Sequence, residues 1–313
     1  MPSIIQSALH PAGPGAASIT DLWWLMFWTC TVVYALVMAA LALALRRRRS
    51  GDEAPPERTL LRSVVGASAV TIVILFGLLF ASVITGRALG TLGSAEGLVI
   101  EITGNQWWWD VEYHNPDPSL RVRTANELHI PVGRQVRIQL KSNDVIHSFW
   151  VPNLHGKMDL IPGRQTALWL QADTPGVYRG QCAEYCGLQH AHMAFSVIAE
   201  SSDEFERWLT AQRQPAPPPA TPEQVRGLEI VERGPCALCH AVAGTVAGGR
   251  TAPDLTHLAT RSTIAAGTAP NTPGYLAGWI ADPQHLKPGA KMPATGLSAE
   301  DLQAVLAYLE TLK

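Results

Sequence analysis

Hydrophobic and polar residues change their pattern twice along this chain, and each change marks a new kind of element. From Leu22 to Leu45, and again from Ser63 to Gly86, no residue is charged. A helix needs about 20 apolar residues to cross a ~30 Å hydrocarbon core, so both runs are long enough to span. Arg46, Arg47, Arg48 and Arg49 follow the first run, Arg62 precedes the second, and the loop 46–62 holds six arginines. Arginine-rich loops stay in the cytoplasm. The runs therefore predict a transmembrane hairpin of helices 22–45 and 63–86, with a cytoplasmic loop 46–62. An N-terminal segment 1–21 and the C-terminal part then lie outside. A cleaved signal peptide fits the first run poorly, because no basic stretch precedes it and its apolar segment exceeds roughly 7–15 residues. Trp23, Trp24 and Trp28 suit an aromatic belt at its outer end.

Beyond Gly86 the period shortens to two. Val136, Ile138 and Leu140 alternate with Arg137, Gln139 and Lys141, as do Leu128, Ile130 and Val132 with their neighbours, and Leu168 with Leu170. That is the mark of half-buried strands. Pro116, Pro118, Gly133, Pro162, Gly163, Pro175 and Gly176 punctuate them. An antiparallel sandwich or barrel is expected over 95–200, with Trp107, Trp108 and Trp109 in one of its strands. The prolines of 215–219 make 211–221 a stiff, extended linker, and the whole tether runs from Glu200 to Thr221. Then the period lengthens. Thr221-Pro222-Glu223-Gln224 has a capping Thr, Pro at the first helical position and Gln at the third. Ser298 opens a last helix with Leu302, Val305, Leu306 and Leu309 on one face. Residues 222–313 form a small helical domain, of a size that often needs a cofactor to staple it.

Composition narrows the class. The 313 residues are 47% hydrophobic and 16% charged, below the ~25% charged of average soluble domains. Lys+Arg 24 against Asp+Glu 26 leaves a net charge of -2, which excludes a nucleic-acid partner held by phosphate contacts. Such hydrophobicity excludes a disordered chain. The mean hydropathy of +0.08 averages two uncharged spans with two ordinary outer domains. The five cysteines are too few for a disulfide scaffold, and their spacing carries more than their number.

Two of them stand in Cys182-Ala-Glu-Tyr-Cys186-Gly-Leu-Gln-His190-Ala-His192-Met193, and Asp144-Val-Ile-His147 supplies another histidine upstream. Thiolate, imidazole and thioether together favour copper, and two thiolates able to bridge would hold two ions and spread one electron's charge over both. A Cys182–Cys186 disulfide and a tetrahedral two-Cys, two-His zinc site are the competing readings; zinc has no use for Met193. Two more cysteines stand in Cys236-Ala-Leu-Cys239-His240, the pattern of covalent haem attachment, with His240 as proximal iron ligand. A thioredoxin-type pair would need a βαβ setting, which the pattern does not offer. Met292, the only methionine after Met193, is the candidate sixth ligand; His257 and His285 compete with it. Cys30 lies within the first span and reads as a packing residue.

On these motifs, with Gly104-Asn-Gln-Trp107-Trp-Trp109 and Lys157-Met-Asp-Leu-Ile-Pro-Gly-Arg164, residues 20–200 resemble cytochrome c oxidase subunit II. Residues 222–313, with Gly227 and Tyr308 on crossing helices, resemble class I cytochrome c. Together they resemble the caa-type oxidases, whose subunit II carries a fused cytochrome c. The resemblance implies a two-helix transmembrane hairpin, an all-β cupredoxin-like Greek-key barrel and an all-α cytochrome c domain. It implies a dinuclear copper centre (CuA) with bridging Cys182 and Cys186, terminal His147 and His190, Met193 on one copper and the Glu184 carbonyl on the other. The Glu184 carboxylate would reach a magnesium shared with subunit I, Trp107 would be the electron-receiving tryptophan, and His192 would not be a ligand. It further implies one haem c, subunits I and III and membrane lipid as partners, a donor such as cytochrome c, and the inner cell membrane as location. Electrons would pass from donor to haem c, to copper, and to the haem of subunit I, where oxygen is reduced to water. Arg62 stands where relatives often carry a glutamate that serves a proton path in subunit I, and Glu57 is the nearest acid, so the family's proton-entry residue is unmatched at this position. A nitric-oxide reductase subunit with the same copper site and a copper-delivery or copper-sensing membrane protein are the alternatives. Quinol oxidase subunits lack these copper ligands.

Overall fold

A computed structural model describes residues 4–49, 55–90 and 97–313. Residues 50–54 of the expected cytoplasmic loop, and residues 95 and 96 of the expected sandwich, lie outside the described residues. The chain divides into two compact units, Ala17–Thr91 on the one hand and Met1–Ala16 with Leu92–Lys313 on the other.

The smaller unit is built on helices α1 (Pro14–Arg49) and α2 (Glu57–Gly90). Both expected spans fall inside them, and each helix runs past its uncharged stretch. Both are long and apolar enough to cross a membrane. Along the uncharged spans the side chains face outward, Val73 at 71% and Phe80 at 69% exposure, an arrangement suited to lipid. There every backbone group must be satisfied within the helix. Thr29, Thr31 and Thr71 turn their hydroxyls onto the carbonyls of Leu25, Phe27 and Ala67, so no polar side-chain atom of theirs is left bare.

The larger unit opens with β1 (Ile4–Ile5) and continues through ten strands of a sandwich: β2 (Val99–Asn105), β3 (Trp108–Tyr113), β4 (Val122–Ala125), β5 (Glu127–Pro131), β6 (Val136–Ser142), β7 (His147–Trp150), β8 (Met158–Leu160), β9 (Thr166–Leu170), β10 (Gly176–Cys182) and β11 (Ala194–Glu200). One sheet runs β4-β3-β2-β6-β9 and the other β5-β11-β10-β7-β8, with β1 on the outer edge of β10. The alternating residues do form strands, and Val136, Ile138 and Leu140 are fully buried. The expected antiparallel arrangement needs correction: β2 pairs with β6, β5 with β11 and β1 with β10 in parallel. A period of two reports which face is buried and is silent on strand direction. Trp109, Phe149 and Phe195 meet in the core, with ring centroids 4.7 to 6.2 Å apart.

The expected tether is also corrected. Its first half is α3 (Ser202–Ala211), closed by a capping box between Ser201 and Glu204. Phe205 and Leu209 bury against the sandwich, and Trp208 stacks on His129 at 4.0 Å. Even the proline stretch is held, since Ala216 N donates to Ala243 O.

The C-terminal domain comprises α4 (Pro222–Arg233), α5 (Cys236–Cys239), the short strands β12 (Thr263–Ile264) and β13 (Ala269–Pro270), α6 (Pro273–Ala281), α7 (Pro283–Leu286) and α8 (Ala299–Leu309). Thr221 and Gln224 form the capping box read from their spacing. Helices α4 and α8 cross where Gly227 lies: a Cβ there would stand 2.0 Å from the Ala304 carbonyl oxygen and 2.8 Å from Tyr308 Cβ. Val231, Val305, Leu306, Leu309 and Leu312 close the core around this crossing.

Candidate functional sites

Strand β10 ends on Cys182, β7 begins on His147, and the loop back to β11 carries Cys186, His190 and Met193. The sandwich thus brings one edge of the sheet and one loop to a common pocket. Cys182 Sγ and Cys186 Sγ are free thiols 3.7 Å apart, so the disulfide reading falls away. His147 Nδ1 lies 3.8 Å from Cys182 Sγ, and His190 Nδ1 lies 3.6 Å from Cys186 Sγ. Met193 Sδ is 3.9 Å from Cys186 Sγ, and the Glu184 carbonyl oxygen 3.2 Å from Cys182 Sγ. Cys182, Cys186, His147 and Met193 are buried. His192 is exposed and turns its Nδ1 to Gln189 Oε1 at 2.7 Å.

Hydrogen bonds aim these donors. Asp144 Oδ1 accepts from His147 Nε2 at 2.8 Å; a carboxylate of this kind fixes the tautomer and frees Nδ1 for a metal. Gly104 leaves room for that ring, since a Cβ there would come within 2.7 Å of His147 Cδ2. Burial alone would lower His147, but the Cys182 and Asp144 contacts raise it above its ordinary value. The contact between the two sulfurs lowers Cys182 from the ordinary thiol range and raises Cys186, while burial pushes both upward. Burial would raise Asp144, yet hydrogen bonds from His147, the Gln106 and Val145 amides and Lys291 hold it down. Two sulfurs within reach of a common ion, an imidazole beside each, a thioether and a carbonyl fit a thiolate-bridged copper pair. One tetrahedral zinc would leave two of the six donors unused.

Trp107 lies in the turn Gln106-Trp107 between β2 and β3, not in a strand as expected; Trp109 is the core residue. Trp107 Nε1 donates to Cys186 O at 2.9 Å, and Gln106 Nε2 donates to the same oxygen at 2.8 Å. The Glu184 carboxylate, half-exposed, pairs with Lys157 at 3.5 Å. Asp144, Gln106 and Lys287, a buried residue at the junction with the helical domain, are partners that sequence reasoning missed. The spacing Asp144-x-x-His147 is the one signal that could have shown the first.

In the helical domain Cys236 and Cys239 are free and three residues apart, at the ends of α5. His240 Nδ1 donates to Pro253 O at 2.7 Å, which leaves Nε2 for iron. Burial first, then the nearby Arg261 guanidinium, hold His240 below its usual pKa and so neutral, as a ligand must be. Arg261 is itself buried, and its Nε lacks a hydrogen-bond partner among the described residues, an orphaned donor suited to the carboxylates of a haem. Met292 is half-buried. The competing His285 is exposed, and both ring nitrogens of His257 face carbonyls, those of Lys313 and Gln212.

A membrane-compatible hairpin, a sandwich with a soft-donor pocket and a helical domain with a Cys-x-x-Cys-His turn define a membrane-anchored electron-transfer protein. Residues 117–200 match the family described as cytochrome c oxidase subunit II, periplasmic domain, and residues 224–313 match cytochrome c. Cytochrome c oxidase subunit 2 of Alkalihalophilus pseudofirmus is 37% identical over 98% of this chain and 91% of its own length. The subunit 2 of Bacillus sp. (strain PS3) is 34% identical over 69% of this chain and 62% of its own. The periplasmic domain of subunit II of the Bradyrhizobium japonicum cytochrome oxidase, a solved structure, shares 32% identity. It covers 39% of this chain and 97% of that one, with a TM-score of 0.37. The chain belongs to the cytochrome c oxidase subunit 2 family, in the form that carries a cytochrome c domain. It is a component of an oxidoreductase complex with subunit I, and its sandwich and cytochrome c domains imply CuA copper and haem c.

Proposed function

We propose that this chain receives electrons one at a time on its helical domain, hands them to its sandwich domain, and passes them to the haem of subunit I, where oxygen is reduced to water. Cys236 and Cys239 would hold haem c covalently, and His240 and Met292 would ligate its iron. Cys182, Cys186, His147, His190, Met193 and the Glu184 carbonyl would hold two coppers. Once bound, the haem iron and the copper pair supply one-electron carriers that rearrange little between oxidation states. The protein's part is to keep donors fixed and water away. Asp144 orients His147, Pro253 O orients His240, and the thiols would bind as thiolates, releasing protons on loading. Trp107, one hydrogen bond from the backbone of Cys186, is placed to receive electrons. The Glu184 carboxylate, paired here with Lys157, would exchange that partner for a magnesium shared with subunit I. The remaining partners are a donor such as cytochrome c, subunit III and membrane lipid.

Both soluble domains and both chain ends lie on the outer face of the inner cell membrane. The arginine-rich loop supports this orientation, as does the attachment of the N-terminal segment to the sandwich. Ile4 and Ile5 pair with Val177 and Tyr178, and Asn153 bonds Ser7 N, Ala12 N and His10 O.

The observation that carries this reading is the pair of free sulfurs 3.7 Å apart with an imidazole nitrogen beside each. Metal analysis and EPR of the purified full chain test it. Two coppers per chain with a mixed-valence signal are expected; a single copper, or a signal localised on one ion, overturns it. Oxygen uptake by the complex that co-purifies separates an oxidase from a nitric-oxide reductase.

A further inference from the structure

Lys287 follows α7 in the helical domain, yet it is only 2% exposed. Lysine is almost never buried to this degree unless its ammonium is satisfied. Its Nζ donates to Trp107 O at 2.8 Å, to His192 O at 2.7 Å and to Ala265 O at 2.9 Å. Two of these carbonyls belong to the sandwich, one beside the tryptophan ring and one in the loop that carries His190 and Met193; the third is in the helical domain. An ammonium has three donors and no acceptor, so three carbonyls satisfy it completely, and a neutral amine would leave one of them bare.

The residues that follow tighten the same contact. Pro288 O accepts from Gln189 Nε2 at 2.7 Å, Gly289 lies against Leu188 and the Trp107 ring, and Lys291 Nζ pairs with Asp144 Oδ2 at 3.2 Å. Next to Ala265, Ala266 O accepts from Ala194 N at 3.0 Å. Farther off, Ser262 donates from N and Oγ to Glu127 Oε1, at 2.8 Å each. A buried amine held by three carbonyls keeps one arrangement of acceptors and leaves them bare in others, which makes it a device for register.

We propose that Lys287 is a docking latch: it seats the segment 287–292 in one pose over Trp107 and the loop 188–193, so that the helical domain and the sandwich act as one body. Lys287 is a positioning residue, acting through Trp107 and the copper-ligand loop. The latch stands on contacts alone; its value for electron transfer rests on the function proposed above.

Amide hydrogen exchange on the full chain in detergent tests the latch, with Lys287→Met keeping the side chain's length and removing its donors. The Ala194 amide, bonded across the junction, should exchange at least about tenfold faster, while Ile138 and Val197 in the sandwich core keep their protection. Unchanged protection at Ala194, or an equal loss throughout both domains, overturns the latch. Should Lys287→Met fail to fold, a protease site inserted among the prolines of 215–219 of the otherwise native chain replaces it. After cleavage a latched domain co-elutes with the rest of the chain, and a domain that elutes alone overturns the proposal. In the chain loaded with copper and haem, the same variant should slow the one-electron step from ferrous haem to the oxidised copper pair. That step should also become dependent on viscosity, with the copper EPR signal unchanged. Faster exchange at Ala194 with an unaltered transfer rate would keep the latch and overturn the transfer route instead.

Discussion

His190 and His192 stand two residues apart in a loop, and only the first presents a ring nitrogen to a thiol. His192 is spent on Gln189 and solvent. Replacing each by alanine separates them: His190→Ala should lose the mixed-valence copper signal, whereas His192→Ala should keep two coppers per chain by metal analysis. The backbone carbonyl that Lys287 uses survives the second change. A similar contrast holds in the helical domain. His257→Gln should leave the red-edge Met–iron charge-transfer band intact, and Met292→Ala should abolish it. His155 offers a test by pH. It is buried, its Nε2 has no hydrogen-bond partner among the described residues, and burial holds its pKa below the ordinary value. The unfolded chain then takes up the proton first, so stability falls as pH drops through about 6.5 and levels once the folded group titrates. His155→Gln should make the unfolding temperature less sensitive to acid over that window. At this scale the candidate donors were legible because Cys-x3-Cys-x3-His-x2-Met and Cys-x-x-Cys-His are local spacings. Asp144 was not legible as the partner of Gln106, nor Lys287 as the partner of Trp107, since 38 and 180 residues separate the pairs they join.

Among the elements, apolar runs and alternation located the two long helices and the strands, because burial imposes those periods directly. Strand direction was hidden, since a buried face looks the same in parallel and antiparallel neighbours. Helix α3 was hidden for a different reason: the prolines after it drew the whole segment into a linker. Its signals are nonetheless present, with Ser201 and Glu204 as a capping box and Phe205, Trp208 and Leu209 on one face. The crossing of α4 and α8 gives the sharpest prediction for an element. Gly227→Ala gains up to about 1 kcal/mol of helix propensity. It also drives a methyl into the Ala304 carbonyl, a backbone atom that yields only if the helices part. Overpacking of this kind costs about 1–3 kcal/mol, so the helical domain should unfold at lower temperature, as followed by loss of the Met–iron band. An unfolding temperature equal to or above that of the native chain would mean that the crossing is looser than the contact distances indicate.

At the scale of the molecule, sequence patterns separated the sandwich from the helical domain and assigned each its own cofactor, but they left the two joined only by a tether. The contact is tighter than that, and it falls on the edge of the sandwich where Trp107 and the loop 188–193 lie. The sandwich core closes on itself, with α3 as its last piece and no side chain borrowed from beyond Leu209. A chain ending at Gln214 should therefore fold its sandwich, keep the two thiols together and take up two coppers. What it loses is the cover over Trp107 and its neighbours: the Lys287 ammonium, the Lys291–Asp144 pair and the Gln189–Pro288 hydrogen bond. Asp144 is then left facing solvent without its lysine, a carboxylate beside an open tryptophan that would attract a basic protein surface. A soluble cytochrome c should accordingly reduce the copper of the truncated chain directly. The rate should be second-order in cytochrome and should fall as salt screens the encounter. Copper in the full chain should be reduced at a rate that follows haem reduction and depends little on salt thereafter. Stopped-flow absorbance at the haem and copper bands distinguishes the two regimes. Equal salt dependence in both chains would mean that the helical domain leaves the face of Trp107 open to outside donors.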